Sequence, residues 1–408
     1  MDPETRFPDR EMHGPGATPS PVFSPAPLGP LVLRNRLVRS AAFEGMCPDG
    51  LPSEALVAHH RQMAEGGVAL TTVAYASVSP DGRTYAHQLL MQPAVVGPLR
   101  RLTEAVHRAG ALASVQLGHS GDFAASKVIG RRPLGPSTRY NTYALTLARA
   151  MNDADLDRVA SDFVRAARLA VEAGFDAVEL QLCHGYLLSQ FLSPYANHRR
   201  DRYGGSLEGR LRYPLEVVRR VREALPADKA LVAKVNLRDG FAGGLELDEA
   251  VEVGRALEGA GVDALFLSGG FVSKVPMYIM RGDVPFKDMY ANQTDLTKKV
   301  GLLLVGRLMV KAFPFTEAYF LDEARAMRAA VRLPLILVGG IRTLARMEAI
   351  VAEGIEFLGL ARPLIMEPDL PRLLERGEAR ASRCVPCNRC IAVMDRGAVR
   401  CPLVSDPH

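Results

Sequence analysis

The chain has 408 residues, 48% hydrophobic and 23% charged, and 50 Lys and Arg against 45 Asp and Glu give it a formal net charge of +5. That is a globular composition with ample material for a core, and so small and dispersed an excess of charge does not point to nucleic acid or an anionic membrane. No apolar run approaches the roughly 18 residues of a bilayer span, MDPETRFPDREMHGPG lacks the apolar stretch of a secretory signal, and six cysteines are too few for a disulfide-built fold; a cytoplasmic protein with reduced thiols is expected.

The proline-rich residues 1–22 read as a flexible tail, running into an extended lead-in from Phe23 to Pro30. Eight short apolar runs then read as strands: Leu37–Phe43, Ala69–Ala76, Ala111–Leu117, Asp176–Leu182, Ala230–Asn236, Asp263–Ser268, Pro334–Val338 and Glu356–Leu360. Helical spacing marks segments between them, clearest at Leu156–Ala173, Leu215–Leu225, Leu247–Leu257 and Arg342–Ala352. Eight strand–helix repeats predict an α/β protein, a (β/α)8 TIM barrel over residues 23–375, followed by a Cys-containing extension over 376–408. An open doubly wound sheet is the alternative, but Ser40–Gly45 is not the glycine-rich turn it would place after the first strand.

Gly118–Asp153 and Gly269–Leu333 exceed simple barrel connections, and both follow strands, on the face where barrels hold their sites. The second contains Phe313, Phe315, Tyr319 and Phe320, read either as a wall or lid over a pocket or as a stripe packing the last helix. The strongest chemical signal begins at the fourth strand, where Gln181, His184 and Tyr186 crowd its C-terminal end. A phenol, with an ordinary pKa of about 10, holds a proton at neutral pH and can give it to a carbanion or enolate. Gln181 and His184 can donate hydrogen bonds to a carbonyl oxygen.

"HGYLLSQFLSPYANHRRDRYGGSLEGRLRY", from His184 to Tyr213, resembles the signature of the Old Yellow Enzyme family of FMN-dependent NADH:flavin oxidoreductases. "FSPAPLGPLVLRNRLVRSA", "VSPDGR", "VQLGHSG", "LILVGGI" and "LGLARPLI" are similar to further motifs of that family in the same order. The resemblance implies a barrel holding FMN at its mouth, reduced by NAD(P)H. Ser40, Ala41, Ala42 and Phe43 would lie along the flavin edge, Gln116 at its pyrimidine and Lys234 beside its N1 and O2. Gly339, Gly340, Ala361 and Arg362 would receive the phosphate. The other reading of Lys234 is a buried lysine paired with a carboxylate. The activity implied is ene-reduction: hydride goes to the β-carbon of an α,β-unsaturated carbonyl compound, Tyr186 protonates the α-carbon, and His184 with Gln181 binds the electron-withdrawing group. An amine dehydrogenase or demethylase, or a flavin-binding redox relay, are the other readings.

The sequence departs from the family at several points. Gln181 stands where relatives have His, Phe43 where they often have Thr or Cys, Ala361 for Gly, and Asp122 for Arg after "HSG". Arg199, Asp201, Tyr203 and Gly204 fit the pattern as braces of the loop. Cys384, Cys387, Cys390 and Cys401 have the spacing C-x2-C-x2-C-x10-C, which resembles the iron–sulfur branch that includes trimethylamine dehydrogenase and 2,4-dienoyl-CoA reductase. A [4Fe-4S] cluster, a zinc ion and free thiols are the three possibilities. No nucleic-acid or membrane partner is expected, and a homo-oligomer is compatible with the reading.

Overall fold

The computed structural model describes residues 20–293 and 295–404. Eight parallel strands close on themselves: β1 (Leu37–Arg39), β2 (Leu70–Ser77), β3 (Leu112–Gly118), β4 (Ala177–Leu182), β5 (Ala230–Asn236), β6 (Ala264–Ser268), β7 (Leu335–Val338) and β8 (Phe357–Leu360), with β8 paired to β1. The (β/α)8 architecture is therefore as expected, and closure removes the open-sheet alternative. The first strand is shorter than the sequence suggests. Ser40 makes one last bond, from its N–H to the Leu360 carbonyl at 2.8 Å, and the chain then leaves the ladder along the mouth. The expected tail over 1–22 lies outside the described residues as far as residue 19; Val22 is fully buried and its carbonyl accepts from Arg36 at 2.9 Å, so ordered chain begins earlier than Phe23.

The principal barrel helices are α1 (Glu54–Glu65), α2 (Val96–Arg108), α3 (Asp153–Glu172), α4 (Leu207–Ala224), α5 (Leu247–Gly259), α6 (Leu321–Ala330), α7 (Leu344–Ala352) and α8 (Leu370–Glu375). α3 starts at a capping box: Asn152 Oδ1 accepts from Asp155 N at 2.9 Å, and the Asp155 carboxylate accepts from Asn152 N at 3.0 Å. α4 begins well before the expected Leu215 and runs through Pro214. Ser206 caps it, and Leu211, Tyr213, Val217, Val218 and Val221 bury its inner face. Burial of that stripe outweighs the backbone bond that Pro214 removes.

Inside the barrel, Val38, Leu70, Ala177, Val232, Phe266, Ile336 and Phe357 form a separate apolar layer. A two-stranded hairpin, Ala26–Leu28 with Leu31–Leu33, packs Ala26, Leu28 and Leu33 against it and plugs the end opposite the mouth. Above that layer the inward side chains turn polar. Among the described residues, no helix is long and apolar enough to cross a membrane.

The two long connections rise over the mouth. The one after β3 carries a small sheet (Leu134–Gly135, Arg139–Asn141 and Thr146–Ala150), and the one after β6 carries the helices Phe286–Asn292 and Leu296–Met309. Asp81, after β2, ties this end together. It is buried and accepts from Ser79 Oγ at 2.6 Å, Arg131 Nη2 at 2.5 Å and Arg158 Nη2 at 2.7 Å. Burial alone would push its carboxyl up, but His119, Ser79 and Arg158 together hold it well below the usual carboxylate range. Its charge therefore stabilises the fold above pH ~4, and that contribution is lost as pH falls toward the depressed folded value. Asp81→Asn should cost roughly 2 kcal/mol at neutral pH. In urea unfolding, the gap between variant and parent should close below pH ~4; a gap independent of pH would rule out a charged Asp81.

Candidate active site

A cavity of about 970 Å³ opens at the mouth of the barrel. The expected catalytic residues Tyr186, His184 and Gln181 line it, as do Ser40, Ala41, Ala42, Phe43, Gln116, Lys234, Gly339, Gly340, Ala361 and Arg362. Four cations, Lys234, Lys274, Arg342 and Arg362, face this space, and among the described residues no Asp or Glu lines it.

Strand register sets the floor. Lys234 on β5 lies opposite Gln181 on β4, and Gln116 on β3 lies opposite Glu179 on β4. The Lys234 ammonium is buried, donates to Ser40 Oγ at 2.9 Å and Ala41 O at 3.4 Å, and sits 4.3 Å above the Phe266 ring. No carboxylate lies within 4.0 Å of it among the described residues, so the direct ion pair is absent. Its charge is nevertheless felt by Glu179, which is fully enclosed and accepts from Gln116 Nε2 at 2.5 Å. Burial pushes the Glu179 carboxyl up, and Lys234 and Gln116 pull it back. The Gln181 Oε1 atom is buried with no partner.

His184 is held in the left-handed region, at φ 63°, a conformation uncommon for a residue with a side chain. Asn236 accounts for it: its Oδ1 accepts from His184 N at 3.0 Å, while its Nδ2 donates to Asp239 at 2.8 Å and Gly270 O at 2.8 Å. The next residue, Gly185, also has positive φ, and a Cβ there would stand 2.5 Å from the Phe271 ring. His184 Nε2 pairs with Ser268 Oγ at 2.8 Å. Burial, then the charge of Lys234, lowers its pKa well below the ordinary value, so the ring is neutral. Tyr186 is buried beside Tyr75 and Phe123, at centroid distances of 5.0 and 5.8 Å. Burial, reinforced by Tyr75, raises its phenol well above the ordinary range.

Tyr75, Asn236 and Ser268 are site residues that the sequence reading missed. Strand alternation sends Tyr75 outward with Val73, but the β2–β3 register shifts between Val73 and Ala76 and turns its ring into the cavity. Asn236 and Ser268 end strands β5 and β6, and a strand-end position at the mouth was the signal available for both. Phe43 stacks on Tyr85 at 4.5 Å, an apolar contact where the family pattern has a hydroxyl or thiol. Asp122 has a local explanation: it accepts from Arg139, Asn141 and the Gln190 amide, binding the loops after β3 and β4 together. Ala361 has φ −116°, which needs no glycine. Arg199 donates to Pro136 O at 2.9 Å and Met151 O at 2.7 Å, a brace as expected. The aromatic segment divides: Phe315 and Tyr319 line the cavity, whereas Phe320 is core.

The C-terminal extension is packed against the mouth. Asn388, at φ 57°, donates to Met280 O at 2.6 Å and Asp283 O at 2.9 Å and accepts from Arg362. Cys384, Cys387, Cys390 and Cys401 all line one small cavity of about 10 Å³ together with Arg362. Burial pushes the Cys384 thiol up to about 11 and the Cys390 thiol to about 12; Arg362 opposes this, and the neighbouring cysteines add to it. Cys47 and Cys183 are buried apart from this group, and burial raises both thiols.

An electropositive mouth on a (β/α)8 barrel, with a phenol and an imidazole on one wall, suits an enzyme that binds an anionic cofactor and acts on a polar acceptor. Residues 21–272 match the NADH:flavin oxidoreductase / NADH oxidase family, and the chain belongs to it. The chain is 44% identical over 385 residues to 4,4'-dithiodibutanoate disulfide reductase of Rhodococcus erythropolis, spanning 94% of this chain and 95% of that one. It is 30% identical over 379 residues to the multifunctional alkene reductase/demethylase of Caballeronia cordobensis, covering 92% of this chain and 52% of that one. The structure of histamine dehydrogenase from Rhizobium sp. 4-9 aligns with a TM-score of 0.78 at 26% identity, over 93% of this chain and 52% of that chain. A 2-naphthoyl-CoA reductase structure aligns with a TM-score of 0.80 at 22% identity, over 93% and 56%, a likeness of fold.

FMN and NAD(P)H are the cofactors of this family. The residues present fit FMN. The buried Lys234 ammonium offers a positive charge at one end of the cavity, beside Gln116. Gly339 and Gly340, at φ 126° and 73°, turn the chain at the other, beside Arg342 and Arg362. A Cβ on Gly340 would stand 2.9 Å from Phe315 and Tyr319, so the turn admits no side chain.

Proposed function

We propose that this oxidoreductase reduces the activated C=C bond of an α,β-unsaturated carbonyl compound. The observation that carries this reading is Tyr186, a cavity-wall phenol kept protonated by its burial. FMN, when bound, would supply the hydride chemistry, with NAD(P)H as the reductant and the β-carbon of the acceptor as the destination. Tyr186 gives its Oη proton to the α-carbon. The neutral His184 ring and the Gln181 amide hold the carbonyl oxygen and favour the charge that develops there. Ser40, Ala41, Ala42 and Phe43 would border the flavin, Gln116 would meet its pyrimidine edge, and Lys234 would stabilise negative charge on the reduced ring. Gly339, Gly340, Ala361 and Arg362 would hold the phosphate.

A second reading, reductive cleavage of an organic disulfide, is favoured by the full-length likeness to the dithiodibutanoate reductase. Cationic amines suit this cavity poorly, because four cations and no carboxylate face it among the described residues. Anaerobic stopped-flow separates the first two. Reoxidation of the reduced protein by 2-cyclohexen-1-one, with formation of the saturated ketone, supports the first. Reoxidation by 4,4'-dithiodibutanoate alone, with release of its thiols, replaces it with the second.

For the four C-terminal cysteines we propose a [4Fe-4S] cluster, which would supply one-electron transfer beside the flavin. Their convergence on one void supports it. Iron and acid-labile sulfide near four per chain are expected in anaerobically purified protein; one zinc per chain, or no metal, would overturn the assignment.

A further inference from the structure

Three of the four cavity cations have a place around the flavin: Arg342 and Arg362 beside the Gly339–Gly340 turn, and Lys234 on the floor. Lys274 has none. It stands in the connection after β6, on the wall that carries the reacting groups. The Val272 N–H donates to His184 O at 3.0 Å, and Lys274 N donates to Phe271 O at 2.9 Å. The Val272 side chain packs on the cluster of Phe43, Tyr75, Phe123 and Tyr186.

The Lys274 ammonium lies 5.4 Å from the centre of the Tyr195 ring, and no carboxylate lies within 4.0 Å of it among the described residues. Arg139 shares that ring, at 4.5 Å, but its charge is answered by Asp122. Lys274 is exposed at the rim of the cavity, where its ammonium is open to pair with an anionic group on whatever binds beside His184 and Tyr186.

We propose that Lys274 recognises a carboxylate on the acceptor, so that the substrate class is a carboxylate-bearing organic molecule. This rests on the reading of the cavity as a reductase site and names the chemistry of its substrate. It agrees with the relative named for 4,4'-dithiodibutanoate, a compound with a carboxylate at each end.

The test is isothermal titration of the FMN-loaded protein with 4,4'-dithiodibutanoate and with its neutral diamide. The parent should bind the diacid about twofold to fivefold more tightly, and the preference should shrink as salt rises. Lys274→Gln should bring the ratio close to one, and Lys274→Arg should restore it. Equal affinity for the two compounds in the parent, or a ratio unchanged in Lys274→Gln, overturns the proposal. A carboxylate preference that depends on Lys274, in a protein whose reduced form neither acceptor reoxidises, leaves this assignment standing and removes the reductase reading instead.

Discussion

Tyr186→Phe should slow reoxidation of the reduced protein by its acceptor about 10²- to 10⁴-fold, the usual worth of one positioned proton donor. The substitution removes one oxygen and keeps the ring that packs edge-on against Tyr75 and Phe123, so the fold is not at stake. The loss should fall on the oxidative half-reaction, read in stopped-flow separately from reduction by NAD(P)H. Equal slowing of both half-reactions would take Tyr186 out of the proton-donor role. The raised phenol also gives the pH profile its sign. The protonated form persists through neutral pH, so the parent's oxidative rate should stay level there and decline only above the ordinary phenol range, near pH 10.

Lys234→Met should be the most damaging single change to the floor. It removes the positive charge that counters burial of Glu179 and the donor to Ser40 Oγ and Ala41 O. Without that counter-charge the enclosed Glu179 carboxyl, already pushed up by burial, should be driven further toward its protonated form, at a cost of about 1–3 kcal/mol. The double variant Lys234→Met/Glu179→Gln should recover much of that loss, because the remaining amide need not ionise. Urea unfolding of the two variants measures the coupling. If the double variant is no more stable than Lys234→Met, the two groups are not electrostatically linked. The single variant should also lower the flavin reduction potential, since the floor cation proposed to lie beside the reduced ring would be gone.

Much of the architecture can be read from the sequence, because parallel strands buried on both faces appear as short apolar runs. β5 falls on its expected bounds, and the other strands differ mainly at their ends. The errors have physical causes. β1 is cut short because the chain must leave the ladder to run along the mouth, and propensity does not record that. α4 passes through Pro214 because tertiary burial outweighs one lost hydrogen bond. In the site, residues inside ordered motifs could be placed in advance, Tyr186 and His184 above all. Tyr75 could not, since a register shift in β2 decides which way it faces. A carboxylate near Lys234 was one of the alternatives, but not its identity: Glu179 feels the Lys234 charge because β4 and β5 lie side by side, without a direct ion pair.

The hairpin plug at the far end of the barrel has a kinetic consequence. With that end sealed by Ala26, Leu28 and Leu33, the cavity opens at the mouth alone among the described residues. Under the proposed reductase reading, nicotinamide and acceptor would share that opening, so turnover should alternate between two forms of the protein, and each substrate at high concentration should slow the other's turn.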